Sequence, residues 1–158
     1  MPQLISAAVR KGFKYLRRFV KAFGPGGVYV WARYLPLELG KGPELAALNL
    51  PNLEFPIYLR KGTTDKDVFF QIFAIREYDF EGIAQYAQLQ SVYREAVAKG
   101  ETPLILDCGA NIGLASVWLA ARFPRARIYA IEPDEGNFAV LRANTKGYPA
   151  IVPVRAAI

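Results

Sequence analysis

The sequence predicts an α/β chain: its last third builds a parallel sheet, and helices precede it. Three observations carry this. Short apolar runs at Leu104–Leu106, at Arg127–Ile131 and from Ile151 alternate with stretches of helical period, which is the mark of parallel strands joined by helical crossovers. A glycine turn, Gly109-Ala110-Asn111-Ile112-Gly113, follows the first run, and glycine lets a backbone turn tightly and approach a ligand closely. Upstream, Ile5, Val9, Phe13, Leu16, Val20 and Phe23 recur every three or four residues, the spacing of an amphipathic helix.

Met1 to Phe23 is that helix, and Arg10, Lys11, Lys14, Arg17, Arg18 and Lys21 take much of its remaining circumference. It either lies on an anionic membrane surface or packs its apolar stripe on the domain and leaves its bases in water. The second reading is preferred, because most such stripes are buried. Bases interrupt every apolar run and no cleavage-type site follows, so the segment is not a signal peptide. No run approaches the roughly 20 apolar residues of a membrane span.

Gly24-Pro25-Gly26-Gly27 ends the helix and reads as a linker. Val28 to Leu39, with Tyr29, Trp31 and Tyr34, reads as a second helix packed on the core. Asn52 to Leu59 is a strand or extended arm, placed at an edge by Pro56. Arg60-Lys61-Gly62 turns the chain, and Thr64 or Asp65 caps a helix running through Phe73, because a short polar side chain accepts the free amide bonds there. Arg60 and Asp65 read as a structural pair rather than a pocket border, and Tyr78 reads as core. Glu81 to Lys99 is a further helix, with Ile83, Tyr86, Leu89, Tyr93 and Val97 on one face, stopped by Gly100. Then follow the Leu104 strand, a helix over Asn111–Phe123, the Ile128 strand, a helix over Asp134–Thr145 and the run from Ile151. Pro153 places that last strand at the sheet edge.

At 158 residues one domain is expected, divided into a basic helix and linker (1–27), a helical and extended segment (28–100) and the parallel sheet (101–158). Hydrophobic content of 53% with 22% charged residues is that of a globular protein. Of the 20 bases, six stand within residues 1–27, and no acid occurs before Glu38; the other 14 bases balance the 14 acids. The net charge of +6 therefore belongs to the N-terminal segment. No nucleic-acid module accompanies it, so nucleic acid is not an expected partner. The single cysteine, Cys108, excludes an internal disulfide and suits a cytoplasmic location; it reads as a small buried packing residue. The chain has no histidine, hence neither the commonest general base nor a histidine metal site, and no metal is expected.

In open parallel sheets, ligands bind beyond the carboxyl ends of strands, which places the candidate site at the glycine turn. Its pattern is G-x-N-x-G rather than G-x-G-x-x-G, so the glycine that lets a pyrophosphate approach is missing. No Lys-Ser or Lys-Thr follows, so it is not a P-loop either. Asp107, at the end of the first strand, repels a pyrophosphate and attracts an ammonium. Glu132, ending the next strand 19 residues after Gly113 (113 to 132), is spaced to accept both ribose hydroxyls of an adenosine. Two acids, a glycine turn and no phosphate grip suit S-adenosyl-L-methionine. The structural alternatives are a capping carboxylate for Asp107 and a surface charge for Glu132.

Asp107–Gly113 (Asp-Cys-Gly-Ala-Asn-Ile-Gly), Ala130–Asp134 (Ala-Ile-Glu-Pro-Asp) and Phe138–Asn144 resemble the FkbM-type methyltransferases. Leu59–Asp65 and Gln71–Asp79 resemble the segment preceding that motif. The resemblance implies a Rossmann-like class I methyltransferase sheet, here incomplete, with about three parallel strands behind N-terminal helices. It implies O-methylation of a hydroxyl on a small-molecule, sugar, glycan or polyketide-like acceptor. It implies cofactor contacts from Asp107, Gly109, Ala110, Asn111, Gly113, Glu132 and Pro133: Asp107 at the methionine amine, the turn amides along methionine and ribose, Glu132 at the ribose hydroxyls and Pro133 beside the adenine. No catalytic residue is assigned. With so few strands the Leu104 strand lacks a neighbour, so a truncated chain is expected, or one completed by a partner. The other function readings are a nicotinamide-dependent oxidoreductase and a non-enzymatic membrane-surface adaptor.

Overall fold

The computed structural model describes residues 2–157, with side chains from residue 12 onward; the side chains of Ile5, Val9, Arg10 and Lys11 lie outside the described residues. The chain forms two compact units, Met1–Arg76 and Glu77–Ile158, whereas the composition breaks fall after residues 27 and 100.

In the first unit α1 (Pro2–Phe23) leads through a 3-10 turn, Gly24–Gly26, into α2 (Gly27–Glu38). The glycine stretch is a corner rather than a slack linker: Gly27 is buried, and a Cβ there would run into the Phe19 carbonyl. Only glycine lets the two helices meet this closely. The buried stripe of α1 differs from the expected one. Phe19 and Phe23 are buried, while Phe13 and Val20 are 65% and 39% exposed. The partners decide this: the Phe19 ring lies 5.1 Å from Tyr34 and 6.3 Å from Phe69, and Tyr15 lies 4.6 Å from Phe70. The apolar arc is wider than the surface offered to it, and aromatic pairs take its centre.

A two-stranded antiparallel sheet follows, β1 (Leu45–Leu48) with β2 (Ile57–Arg60), paired from Leu45↔Arg60 to Leu48↔Ile57. The sequence reading recovered β2 and missed β1, whose four residues are too few to show a period. Neither Thr64 nor Asp65 caps α3 (Asp65–Phe69) with its side chain. Asp65 instead accepts from Arg60 Nε and from the Arg60 backbone amide at 2.9 Å each, with Arg60 Nη2 at 2.9 Å from its second oxygen. That is the structural pair the sequence indicated. Helical structure continues past Phe69 as a π-turn, Phe70–Ile75.

The second unit opens with a 3-10 turn, Phe80–Gly82, and α4 (Tyr86–Ala98). The helix starts later than its periodicity indicated, and none of its residues is fully buried. Ile83 lies outside it and Leu89 is exposed; Tyr93 packs edge-on against Phe123, and its hydroxyl accepts from the Arg125 amide at 3.0 Å. Tyr78 is exposed rather than core. The parallel sheet comprises β3 (Leu104–Cys108), β4 (Arg127–Ile131) and β5 (Ile151–Val154), in the order β3-β4-β5, with α5 (Leu114–Arg122) and α6 (Glu135–Thr145) as crossovers. The arrangement is compatible with part of a Rossmann-like fold. β5 lies at an edge, as Pro153 indicated. Ile128 and Ala130 face inward at 0% exposure, while Leu104 and Leu106 on the opposite face are 61% and 58% exposed. Cys108 shares that open face and is exposed, not the buried packing residue expected. Among the described residues no helix is long and apolar enough to cross a membrane.

Candidate functional site

β3 and β4 are adjacent and in register, Asp107 opposite Ala130 and Cys108 opposite Ile131. Both strands end at the glycine turn, because a parallel pair delivers its carboxyl ends to one side of the sheet. The turn is built by left-handed residues: Gly109 and Gly113 at φ 83°, and Asn111 at φ 51°. Asparagine tolerates this region better than most side chains, which is how G-x-N-x-G closes without its middle glycine.

The two glycines differ in what surrounds them. A Cβ at Gly109 would meet nothing within 4 Å. One at Gly113 would lie 3.2 Å from both Leu141 Cγ and Thr145 Cγ2 on α6. Gly113 thus serves packing of the helix start, and Gly109 leaves open space at the strand end. Asn144 Nδ2, buried on α6, donates to the Ile112 carbonyl at 2.8 Å and anchors the turn from beneath.

Glu132 is not a surface charge. The residue is 6% exposed. Its Oε2 accepts from the Asn111 amide at 2.9 Å; its Oε1 accepts from the Asp134 amide at 3.0 Å and, at 3.4 Å, from Asn137 Nδ2. Asp134 in turn caps α6 by accepting from the Asn137 amide at 2.8 Å. Asp107 points to α5. Its Oδ2 accepts from Ser116 Oγ at 2.6 Å, and Ser116 is fully buried. Burial pushes the Asp107 carboxyl above its usual range, against the pull of hydrogen bonds from Ser116. Ser116 thus serves this carboxyl with its backbone amide as well as its hydroxyl. The two acids therefore hold different parts of one bend: Glu132 its middle, Asp107 the helix that leaves it. Ala110 is buried, and Pro133 is exposed beside Glu132.

The turn amides are largely spoken for. Gly109 and Ala110 both donate to the Ile131 carbonyl, at 3.0 and 2.9 Å; Asn111 donates to Glu132, and Gly113 to the Ala110 carbonyl at 2.8 Å. The expected row of ligand-facing amides is thus mostly turned inward. Ser116, Asn137 and Asn144 were not foreseen as site residues. Ser116 stands nine positions from its partner and Asn137 five from its own, and neither separation has a sequence signature. Asn144 closes the Phe138–Asn144 segment, which was the one available signal.

No family model matches the chain. Over 121 residues, 77% of its length, it is 33% identical to the AMB antimetabolite synthetase AmbE of Pseudomonas aeruginosa. Over 54 residues, 34% of its length, it is 41% identical to the methyltransferase sdnD of Sordaria araneosa. The chain's matched stretch spans 4% of the first relative and 21% of the second. The resemblance to a methyltransferase is therefore partial and distant.

Proposed function

We propose that this chain is the cofactor-holding portion of an FkbM-type, S-adenosylmethionine-dependent methyltransferase, acting on a hydroxyl of a sugar, glycan or polyketide-like acceptor. The observation that carries the reading is the hydrogen-bond accounting of the turn. A dinucleotide site offers free amides to a pyrophosphate. Here four of the five amides from Gly109 to Gly113 have acceptors inside the protein, one of them the Glu132 carboxylate. A diphosphate would find few donors and a buried negative charge.

The residues fit a ribosylated cation better. An ionised carboxylate offers about four acceptor positions. Glu132 spends two on close amide bonds and a third on a long one, which leaves capacity for a ribose hydroxyl. The Asp107 carboxylate keeps acceptor capacity for an ammonium beyond its Ser116 bonds, and its raised carboxyl is what a buried acid shows before a cation reaches it. The space at Gly109 admits close approach of a ligand, and Pro133 borders the side an adenine would take. When bound, S-adenosylmethionine supplies an electrophilic methyl group. The protein's task is to hold that methyl in line with an acceptor oxygen whose proton is removed.

Titration calorimetry of the chain with S-adenosylhomocysteine and, separately, with NAD tests this. Binding of the first, weakened in Asp107→Asn, is the expected result. Binding of NAD alone would overturn it.

A further inference from the structure

We infer that the outward face of α1 is a docking surface for an anionic lipid bilayer. Lys14, Arg17, Arg18 and Lys21 stand at i, i+3, i+4 and i+7, so they share one side of the helix. All four are exposed. None makes an ion pair among the described residues, and no acid occurs before Glu38. Phe13 and Val20, seven residues apart, flank this side at 65% and 39% exposure. With the four cations, Phe13 lines a concavity of about 730 Å³.

The inward arc of α1 is filled by Phe19 and Phe23, and Phe13 and Val20 are left with much of their apolar surface uncovered. Cations in a row with apolar side chains along their flank suit the lipid boundary: the cations meet phosphates while the apolar groups enter the acyl edge. A nucleic acid would engage the cations through its phosphates but leaves Val20 without a role. This surface is independent of the cofactor reading.

The test is flotation of the full 158-residue chain with phosphatidylcholine vesicles, with and without phosphatidylserine. Binding to the anionic vesicles alone is expected. The double variant Arg17→Ala/Arg18→Ala should weaken it about 25-fold, at roughly fivefold per cation. Phe13→Ser should weaken it about tenfold through lost apolar insertion. All three positions are exposed, and far-UV circular dichroism verifies that the variants fold. Absence of flotation, equal binding to neutral vesicles, or an unaltered Phe13→Ser variant would overturn the inference. So would retention by single-stranded RNA without vesicle binding, which would assign the face to nucleic acid.

Discussion

Glu132→Gln is the sharpest probe of the site, because it keeps shape and changes only hydrogen bonding. The carboxylate serves two backbone amides at once, Asn111 at 2.9 Å and Asp134 at 3.0 Å. A glutamine has one acceptor oxygen, so one amide keeps its partner and the other faces an NH2 group. At 6% exposure water has little access to replace the lost bond. Losing one bond to a charged group costs about 1.5–3 kcal/mol, so about 2 kcal/mol is expected. For a unit the size of Glu77–Ile158 that lowers the melting midpoint by roughly 8–16 °C, at about 4–8 °C per kcal/mol. Each unit carries one tryptophan, Trp31 and Trp118, so Trp118 fluorescence in a Trp31→Phe background follows the second unit through a urea titration. The midpoint should fall with the slope unchanged, and Glu132→Ala, which removes both acceptors, should fall further. A loss below about 0.5 kcal/mol is what a surface charge gives; it would refute the claim that Glu132 organises the turn.

Three further outcomes follow from the same geometry. Because the free Asp107 carboxyl sits above its usual range, a cationic ligand needs its proton removed; calorimetric affinity for S-adenosylhomocysteine should rise with pH through that raised value and then level, and be weak and flat in Asp107→Asn. The sign reverses for folding, since a raised acid destabilises the native state as pH rises through it; at neutral pH, thermal melts should show Asp107→Asn no less stable than the parent. Gly113→Ala combines a left-handed backbone with two 3.2 Å contacts and should cost about 2–3 kcal/mol, whereas Gly109→Ala should cost about 1 kcal/mol and lose ligand binding out of proportion, measured by melts and calorimetry together. Burial alone would raise Asp65, but hydrogen bonds from the Arg60 side chain and amide bring it below its usual range; its stabilisation is present above pH ~4 and lost as pH falls through the depressed value, so a pH series of melts should show this acid-side loss in the parent and less of it in Asp65→Asn, which costs about 2 kcal/mol at neutral pH.

The sequence by itself determined the alternation of strands and helices, the parallel series from Leu104 to Val154, the edge position of β5 and the location of the bend between Asp107 and Glu132. These are matters of local spacing: an apolar run, a glycine that admits a left-handed turn, a proline that cannot donate to a ladder. The tertiary structure decided which side chains those spacings serve. Phe19 rather than Phe13 entered the core because Tyr34 and Phe69 came to meet it, and Asp65 turned to Arg60 rather than capping α3. Cys108 stayed exposed because its face of β3 is open. At the bend, periodicity could place two acids at strand ends, but only the packing of α5 and α6 could assign Asp107 to Ser116 and Glu132 to the amides of Asn111 and Asp134. A carboxylate's direction is set by donors that arrive from distant parts of the chain, and sequence spacing carries no record of that approach.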